Sequence, residues 1–379
     1  MTSLPQSSRT GADACPGVAR PFGAADGAIV RVRTGARPVT VSALRDLLDI
    51  VAGQSDPQIQ LTSRGALQLR GLPDPLPAGV RTAIAATGLV PSASHELARN
   101  IVASPLSGLG EPGLADVRGL VAALDAGLCD DPALAGLPGR FLLAVDDGRG
   151  DVVGSGFDIA IVATGPDFAA VLAGGPHRGW AVPVEQAVGV ALDLAREFLA
   201  TRERLGSTAW HVRELGVPLG APGAVALSLP TSPPPSVGRH GDHAVVAVPL
   251  GLLTPARVAA LADVTDEVIV TPWRSLVVLS GAGGLSRLAS AGLVIDPSDP
   301  WLRLHACTGL PGCARSAIDT RRLAHELAPR MPLGSLPVHV SGCERRCGTP
   351  RGAFVDVLAP SSVPEALSAL EASEAALSP

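Results

Sequence analysis

Four of the six cysteines fall in the last fifth of the 379-residue chain. They read His305-Ala306-Cys307-Thr308-Gly309-Leu310-Pro311-Gly312-Cys313 and, after a gap of 29 residues, Val338-His339-Val340-Ser341-Gly342-Cys343-Glu344-Arg345-Arg346-Cys347-Gly348. Four thiolates converging from two loops are what a [4Fe–4S] cluster requires, because each iron takes one soft anionic ligand. Gly309, Gly312, Gly342 and Gly348 let the backbone close around such a group and aim N–H donors at sulfur, which tunes its potential. A structural zinc site also uses four cysteines, with shorter gaps between paired ligands than the five residues separating Cys307 from Cys313. Zinc and unmetallated buried thiols stand as the alternatives. A disulfide framework would spread its cysteines along the chain, and these are lopsided.

Other polar groups carry weaker signals. His240-Gly241-Asp242-His243 contains the imidazole and carboxylate that a mononuclear iron favours, although a turn before a strand explains it as well. His305 and His339 flank the cysteine loops. Cys15, in Ala14-Cys15-Pro16-Gly17, is a lone thiol that could line a site, and Cys129 reads as packing within a helix. The chain has no Lys, so all 30 basic residues are Arg, and Asn100 is its single Asn. Codon bias explains that usage, yet Arg is also the side chain that grips carboxylates with two prongs. A formal charge of −5 gives no reason to expect nucleic acid. Met1 to Pro16 lacks a basic segment followed by an apolar run, and no stretch nears about eighteen uninterrupted apolar residues. The expectation is a soluble cytoplasmic protein without a membrane span.

The elements that must position these residues are mixed α and β, punctuated by 43 Gly and 35 Pro. Gly27 to Arg33 alternates as a strand. Thr40 caps a helix through about Val51. Ile59 to Arg70 reads as strand, turn, strand. A similar order returns at Ala244 to Leu250, at the helix opened by Thr254-Pro255, and at Glu267 to Leu279. Thr62, Arg64 and Leu67 match Thr271, Arg274 and Leu276 if one residue is inserted, which predicts an internal duplication. The first copy is followed by a helix ending near Leu109, strands at Arg140 to Val145, Asp158 to Thr164 and Phe168 to Leu172, and a helix from Val184 to Leu205. The second is followed by the cysteines, the helix from Asp319, a strand at Ala353 to Val357 and a terminal helix from Val363 to Leu377.

The cysteine spacing, with Ser-Gly before the third Cys and Gly after the fourth, resembles the sulfite and nitrite reductase family. Leu61 to Gly71, Ala98-Arg99-Asn100 to Pro105, and Leu137-Pro138-Gly139-Arg140-Phe141 resemble further family segments, so the likeness covers nearly the whole chain. It implies an α+β fold: two ferredoxin-like half-domains paired with two α/β lobes about a pseudo-twofold axis. The expected division is residues 1–74 and 237–290 for the half-domains, 75–228 and 291–379 for the lobes, and a Pro-rich linker at 229–236. In the reductases the fourth cysteine, here Cys347, bridges the cluster to sirohaem, and Arg64, Arg99 and Arg140, with Asn100 beside them, would occupy substrate-binding places. This chain departs at Leu142, where the reductases carry a second Lys, and at Cys343-Glu344-Arg345-Arg346-Cys347, where they read Cys-Pro-Asn-x-Cys.

Those departures, the compact length and the Cys15-Pro16-Gly17 sequence look more like the precorrin-3B synthase family. There the tetrapyrrole is the substrate. The resemblance implies oxidation of precorrin-3A by O2, with hydroxylation at C20 and γ-lactone closure, in aerobic cobalamin biosynthesis. It further implies a [4Fe–4S] cluster on Cys307, Cys313, Cys343 and Cys347, a separate mononuclear non-haem iron, and an NADH-linked or ferredoxin-type electron donor. Arg64, Arg99 and Arg140 would clamp the substrate's carboxylates. A sirohaem-dependent sulfite or nitrite reductase is the alternative.

Overall fold

A computed structural model describes residues 13–54, 56–110, 113–175, 178–220, 224–332 and 334–375. Two five-stranded antiparallel sheets repeat one plan. In strand Gly27–Arg33, Val30 and Val32 turn inward while Arg31 and Arg33 turn outward, as the two-residue period of a strand dictates. Leu67, Leu69 and Leu72 of strand Ala66–Leu72 join them inside. Helix Val41–Val51 covers that core with Leu44, Leu47, Leu48 and Val51, and its N-terminus is closed by the Thr40 hydroxyl, which accepts from the Ala43 amide at 3.2 Å. Helix Pro255–Ala262 repeats the device: the Thr254 hydroxyl accepts from the Arg257 amide at 3.3 Å.

The two copies exchange strands. The first sheet runs Phe22–Ala24, Gly27–Arg33, Ala66–Leu72, Ile59–Leu61 and then Leu252–Leu253 from the second copy. The second runs Gly238–His240, His243–Ala247, Ser275–Val278, Glu267–Val270 and then Val39–Thr40 from the first. Val39 faces Val268, and Leu253 faces Ile59, so the swap is reciprocal. One hydrophobic core therefore holds side chains of both copies, from Val30 and Leu44 to Val246 and Leu276.

The duplication has no inserted residue at the hairpins. The Thr62 amide donates to the Ala66 carbonyl and the Thr271 amide to the Ser275 carbonyl. Arg64 thus corresponds to Trp273, and Gly65, at φ 64°, corresponds to Arg274, at φ 56°. The inserted residue expected from the sequence aligned two arginines that occupy different turn positions.

Each copy is followed by a parallel three-stranded unit. In the first lobe, Ile101–Ala103, Leu143–Asp146 and Ile159–Ala163 are parallel neighbours, and Phe168–Ala173, Arg178–Pro183 and Val225–Ala226 extend the sheet antiparallel. Helices Arg118–Asp130 and Val184–Arg204 pack on it. The helix expected to end near Leu109 is absent. β-branched Ile101 and Val102 enter the sheet instead, and the chain then turns through Pro105, Gly108 and Gly110, the two glycines at positive φ. Among the described residues, the second lobe has strands Leu304–Ala306, Val338–Ser341 and Val355–Leu358, with helices Thr320–Leu327 and Val363–Ala375. The expected end of the last helix at Leu377 lies outside the described residues. Segment 229–236 leans on the first lobe, where Ser232 donates to the carbonyls of Gly150 and Arg149. No described helix is long and apolar enough to cross a membrane.

Candidate metal centre and basic cleft

Parallel pairing of Leu304–Ala306 with Val338–Ser341 delivers both cysteine loops to one end of the second lobe. Cys307 leaves the first strand directly, its amide bonded to the Val340 carbonyl at 3.0 Å, and Cys343 follows the second strand by two residues. The Gly342 amide donates to Cys307 Sγ at 3.4 Å. The Cys313 loop is tied in by the Ala317 amide on the Gly342 carbonyl at 2.9 Å and the Ser316 amide on the Cys313 carbonyl at 3.0 Å. A side chain at Gly342 would collide with the Ser316 hydroxyl, so glycine is needed there. Cys307, Cys313 and Cys343 are half-buried, Cys347 is exposed, and none is in a disulfide. Burial raises the Cys347 thiol above its ordinary range. Cys307, Cys343 and Cys313 push the same way, and Arg345 opposes them.

The donor set suits a cluster: four free thiols from two loops, with a backbone amide already aimed at sulfur. Among the described residues, the one set of three or more metal-type ligands within 4.8 Å of one another is Asp146, Asp147 and Asp151. Four thiolates on one zinc, each about 2.3 Å from the metal, would lie about 3.8 Å apart. Among the described residues, no three of the cysteine sulfurs lie within 4.8 Å of one another.

The acidic set is a folded loop. Asp146 accepts from the amides of Gly148, Gly150, Val152 and Val153. Asp147 is gripped by Arg149. Burial pushes Asp151 up to about 6, with the Ser104 hydroxyl opposing and Asp146 and Asp147 adding. The His240-Gly-Asp-His243 fragment is a hairpin turn. His240 pairs with His243 across it, His240 Nε2 meets the Ser236 carbonyl at 2.7 Å, and His243 Nδ1 accepts from the Ser280 amide at 3.1 Å. The iron-ligand expectation there gives way to the turn.

His305 and His339 lie beside the cysteines. Arg274 Nη1 donates to His305 Nδ1 at 3.1 Å, and burial, Arg274 and His339 together hold His305 down to about 4. His339 is fully buried, and its pKa is lowered by burial and by Arg274, with Asp356 and the backbone of Cys347 and Arg346 opposing.

The expected arginines part company. Arg64 Nη1 donates to the Arg140 carbonyl at 2.9 Å, so these two meet. The Arg140 guanidinium lies 5.0 Å from the Trp210 ring centroid and 3.7 Å from the Asp13 carboxylate. Arg99 is elsewhere. Only 4% exposed, it grips Asp125 with two prongs at 2.7 and 2.9 Å and donates to the Arg33 and Leu89 carbonyls. Asn100 donates to the Phe141 carbonyl at 2.9 Å. Both are buried in the frame of the first lobe with these partners. Leu142 is buried in an apolar cluster with Val102 and Val152.

Sequence reasoning missed Arg31, Arg33 and Arg70, which share the outer face of the first sheet. Arg31 donates to Gln68 at 2.9 Å, and Gln68 in turn donates to Gln60 at 2.8 Å. Arg70 pairs with Asp26 and donates to the Gly312 carbonyl at 2.8 Å, so this face reaches the Cys313 loop. Burial lowers Arg31 and Arg64, and brings Arg33 down to about 10. Among the described residues, Arg31 Nε and Arg33 Nε are buried without a hydrogen-bond partner. Cys15 packs against this group, since a side chain at Gly139 would come within 2.8 Å of Cys15 Cβ and 3.0 Å of Arg33 Nη2. The Arg-x-Arg pattern in a strand was the available signal. A cavity of about 560 Å3, lined by Phe157, Arg213, Leu229 and paired glycines, opens where Arg351, beyond the cysteines, reaches the Gly154 carbonyl.

No family model matches the chain. A curated precorrin-3B synthase from Sinorhizobium sp is 29% identical over 367 residues, covering 89% of this chain and 78% of that protein. The structure of the Mycobacterium tuberculosis NirA protein superposes with a TM-score of 0.55 at 20% identity, covering 83% of this chain and 68% of that one. The chain thus shares the α+β fold of the NirA protein and is similar to a precorrin-3B synthase over most of its length, in keeping with the resemblance read from the sequence.

Proposed function

We propose that the chain is an oxidoreductase of cobalamin biosynthesis that hydroxylates precorrin-3A at C20 with O2 and closes the γ-lactone. The observation that carries this reading is a set of partly buried guanidiniums, Arg31, Arg33 and Arg64 with Arg140 beside them, on a face that leads to the cysteine lobe. Buried cations with unused donors call for an anionic partner. A macrocycle fringed with carboxylates supplies several.

Cys307, Cys313, Cys343 and Cys347 would hold a [4Fe–4S] cluster, which when bound supplies single electrons. The remaining work falls to this chain's own side chains. Arg31 and Arg64 bind substrate carboxylates. Gln68, anchored by Gln60, fixes the Arg31 fork. Trp210 holds the Arg140 guanidinium in place. Holding a rigid ring by several such contacts converts an encounter into a fixed orientation. Leu142 disfavours the sirohaem reductase reading, because reduction of a bound oxyanion draws on cationic, proton-donating groups and this side chain is buried among apolar ones.

The test is protein purified without oxygen. Broad absorption near the violet without intense sirohaem bands, then a product heavier by one oxygen when precorrin-3A and air are added, is the expected result. Intense sirohaem bands, or recovery of unchanged macrocycle, would overturn the proposal.

A further inference from the structure

Arg274 is out of place on three counts. It sits at φ 56° in a hairpin whose duplicate carries Gly65 at φ 64°, so a side chain is kept where glycine is the unstrained choice. Its guanidinium is partly buried and donates to His305 Nδ1, and burial accounts for its lowered pKa. It also abuts the cysteine loop: Arg274 Nη2 is 3.4 Å from the point a Gly348 side chain would occupy, next to Cys347. A strained cation that forms no ion pair among the described residues thus lies against the loop of the fourth cysteine.

We propose that Arg274 is a positioning residue that sets the reduction potential of the cluster held by the four cysteines; this rests on the cluster reading above. Accepting one electron adds one negative charge to a group already made anionic by four thiolates. A fixed, poorly hydrated positive charge beside it favours the reduced form more than the oxidised form. His305 holds the guanidinium from one side and Gly348 lets it approach from the other. Gly65 in the duplicate, where a side chain would meet Val270, Thr271 and Pro272, shows the hairpin without this duty.

The experiment is a redox titration, followed by electron paramagnetic resonance, of anaerobically purified wild type, Arg274→Gly, Arg274→Gln and Arg274→Lys, with iron and sulfide measured in each. Arg274→Gly adopts the duplicate's own solution and relieves the backbone. With iron retained, the Gly and Gln variants should lose about tenfold in preference for the reduced cluster, a shift of about 59 mV to lower potential, and Lys should restore most of it. Equal potentials in all four proteins overturn the proposal while leaving the cluster reading intact. Loss of iron from all three variants assigns Arg274 to holding the loop and also overturns it. A wild type without iron and sulfide overturns the cluster reading, and this inference with it.

Discussion

Arg99 and Arg64 offer the sharpest division between frame and cleft. Replacing Arg99 by Met keeps its length and removes its charge, leaving Asp125 buried, with a side chain only 3% exposed. Removing one partner of a buried ion pair costs about 3–5 kcal/mol. Arg37, whose guanidinium is 3.8 Å from Asp125 but 56% exposed, offsets part of that, so the low end applies, about 3 kcal/mol. At about 2–4 °C per kcal/mol for a unit of this size, the first lobe should melt about 6–12 °C lower. Arg64 donates only to one carbonyl, a bond worth about 0.5–1.5 kcal/mol net, so Arg64→Met should melt within a few degrees of wild type. Its effect should fall on binding: losing one charge-assisted contact, about 1.5–3 kcal/mol, weakens the macrocycle roughly ten- to a hundredfold. Thermal unfolding followed by circular dichroism, and an anaerobic binding titration with precorrin-3A, read the two quantities. An Arg99→Met protein that melts with wild type, or an Arg64→Met protein that binds as tightly as wild type, would refute the assignment.

Cys343→Ser should abolish iron and sulfide binding; unchanged metal content in that variant counts against the ligand set. Asp151 supplies a pH dependence of defined sign. Its pKa, about 6 when folded against 3.8 ordinarily, means the native state keeps the proton longer, so this group lowers stability as pH rises from about 4 to 6 and costs on the order of 3 kcal/mol at neutral pH. Asp151→Asn should remove that slope, and denaturant titrations at pH 4 and 7 showing the same slope in both proteins would reject it. Thr40→Ala and Thr254→Ala should each cost about 1 kcal/mol through lost helix caps; no change in the denaturation midpoint would contradict the capping geometry.

Much of this was readable in advance wherever the signal was local. The cysteine spacing, the strand Gly27–Arg33 and the two threonine caps each depend on a few neighbouring residues. Long-range matters were not. The exchanged strands Val39–Thr40 and Leu252–Leu253 are two residues long and carry no periodicity. Arg99 looked available because the carboxylate that occupies it, Asp125, is 26 residues away on another element. Arg64 and Arg274 attracted each other as like residues, although turn geometry pairs Arg274 with Gly65. Arg31 and Arg33 alternate with valines in a strand, and the Gly139 turn and Cys15 that lie over Arg33 come from distant parts of the chain.

The most direct test is the electron paramagnetic resonance spectrum of the anaerobically reduced protein before and after addition of precorrin-3A. A [4Fe–4S] signal that changes when the macrocycle binds is the predicted result, because the arginine face that would hold it reaches the Cys313 loop through Arg70. A protein without that signal, or a signal indifferent to saturating macrocycle, would contradict the account.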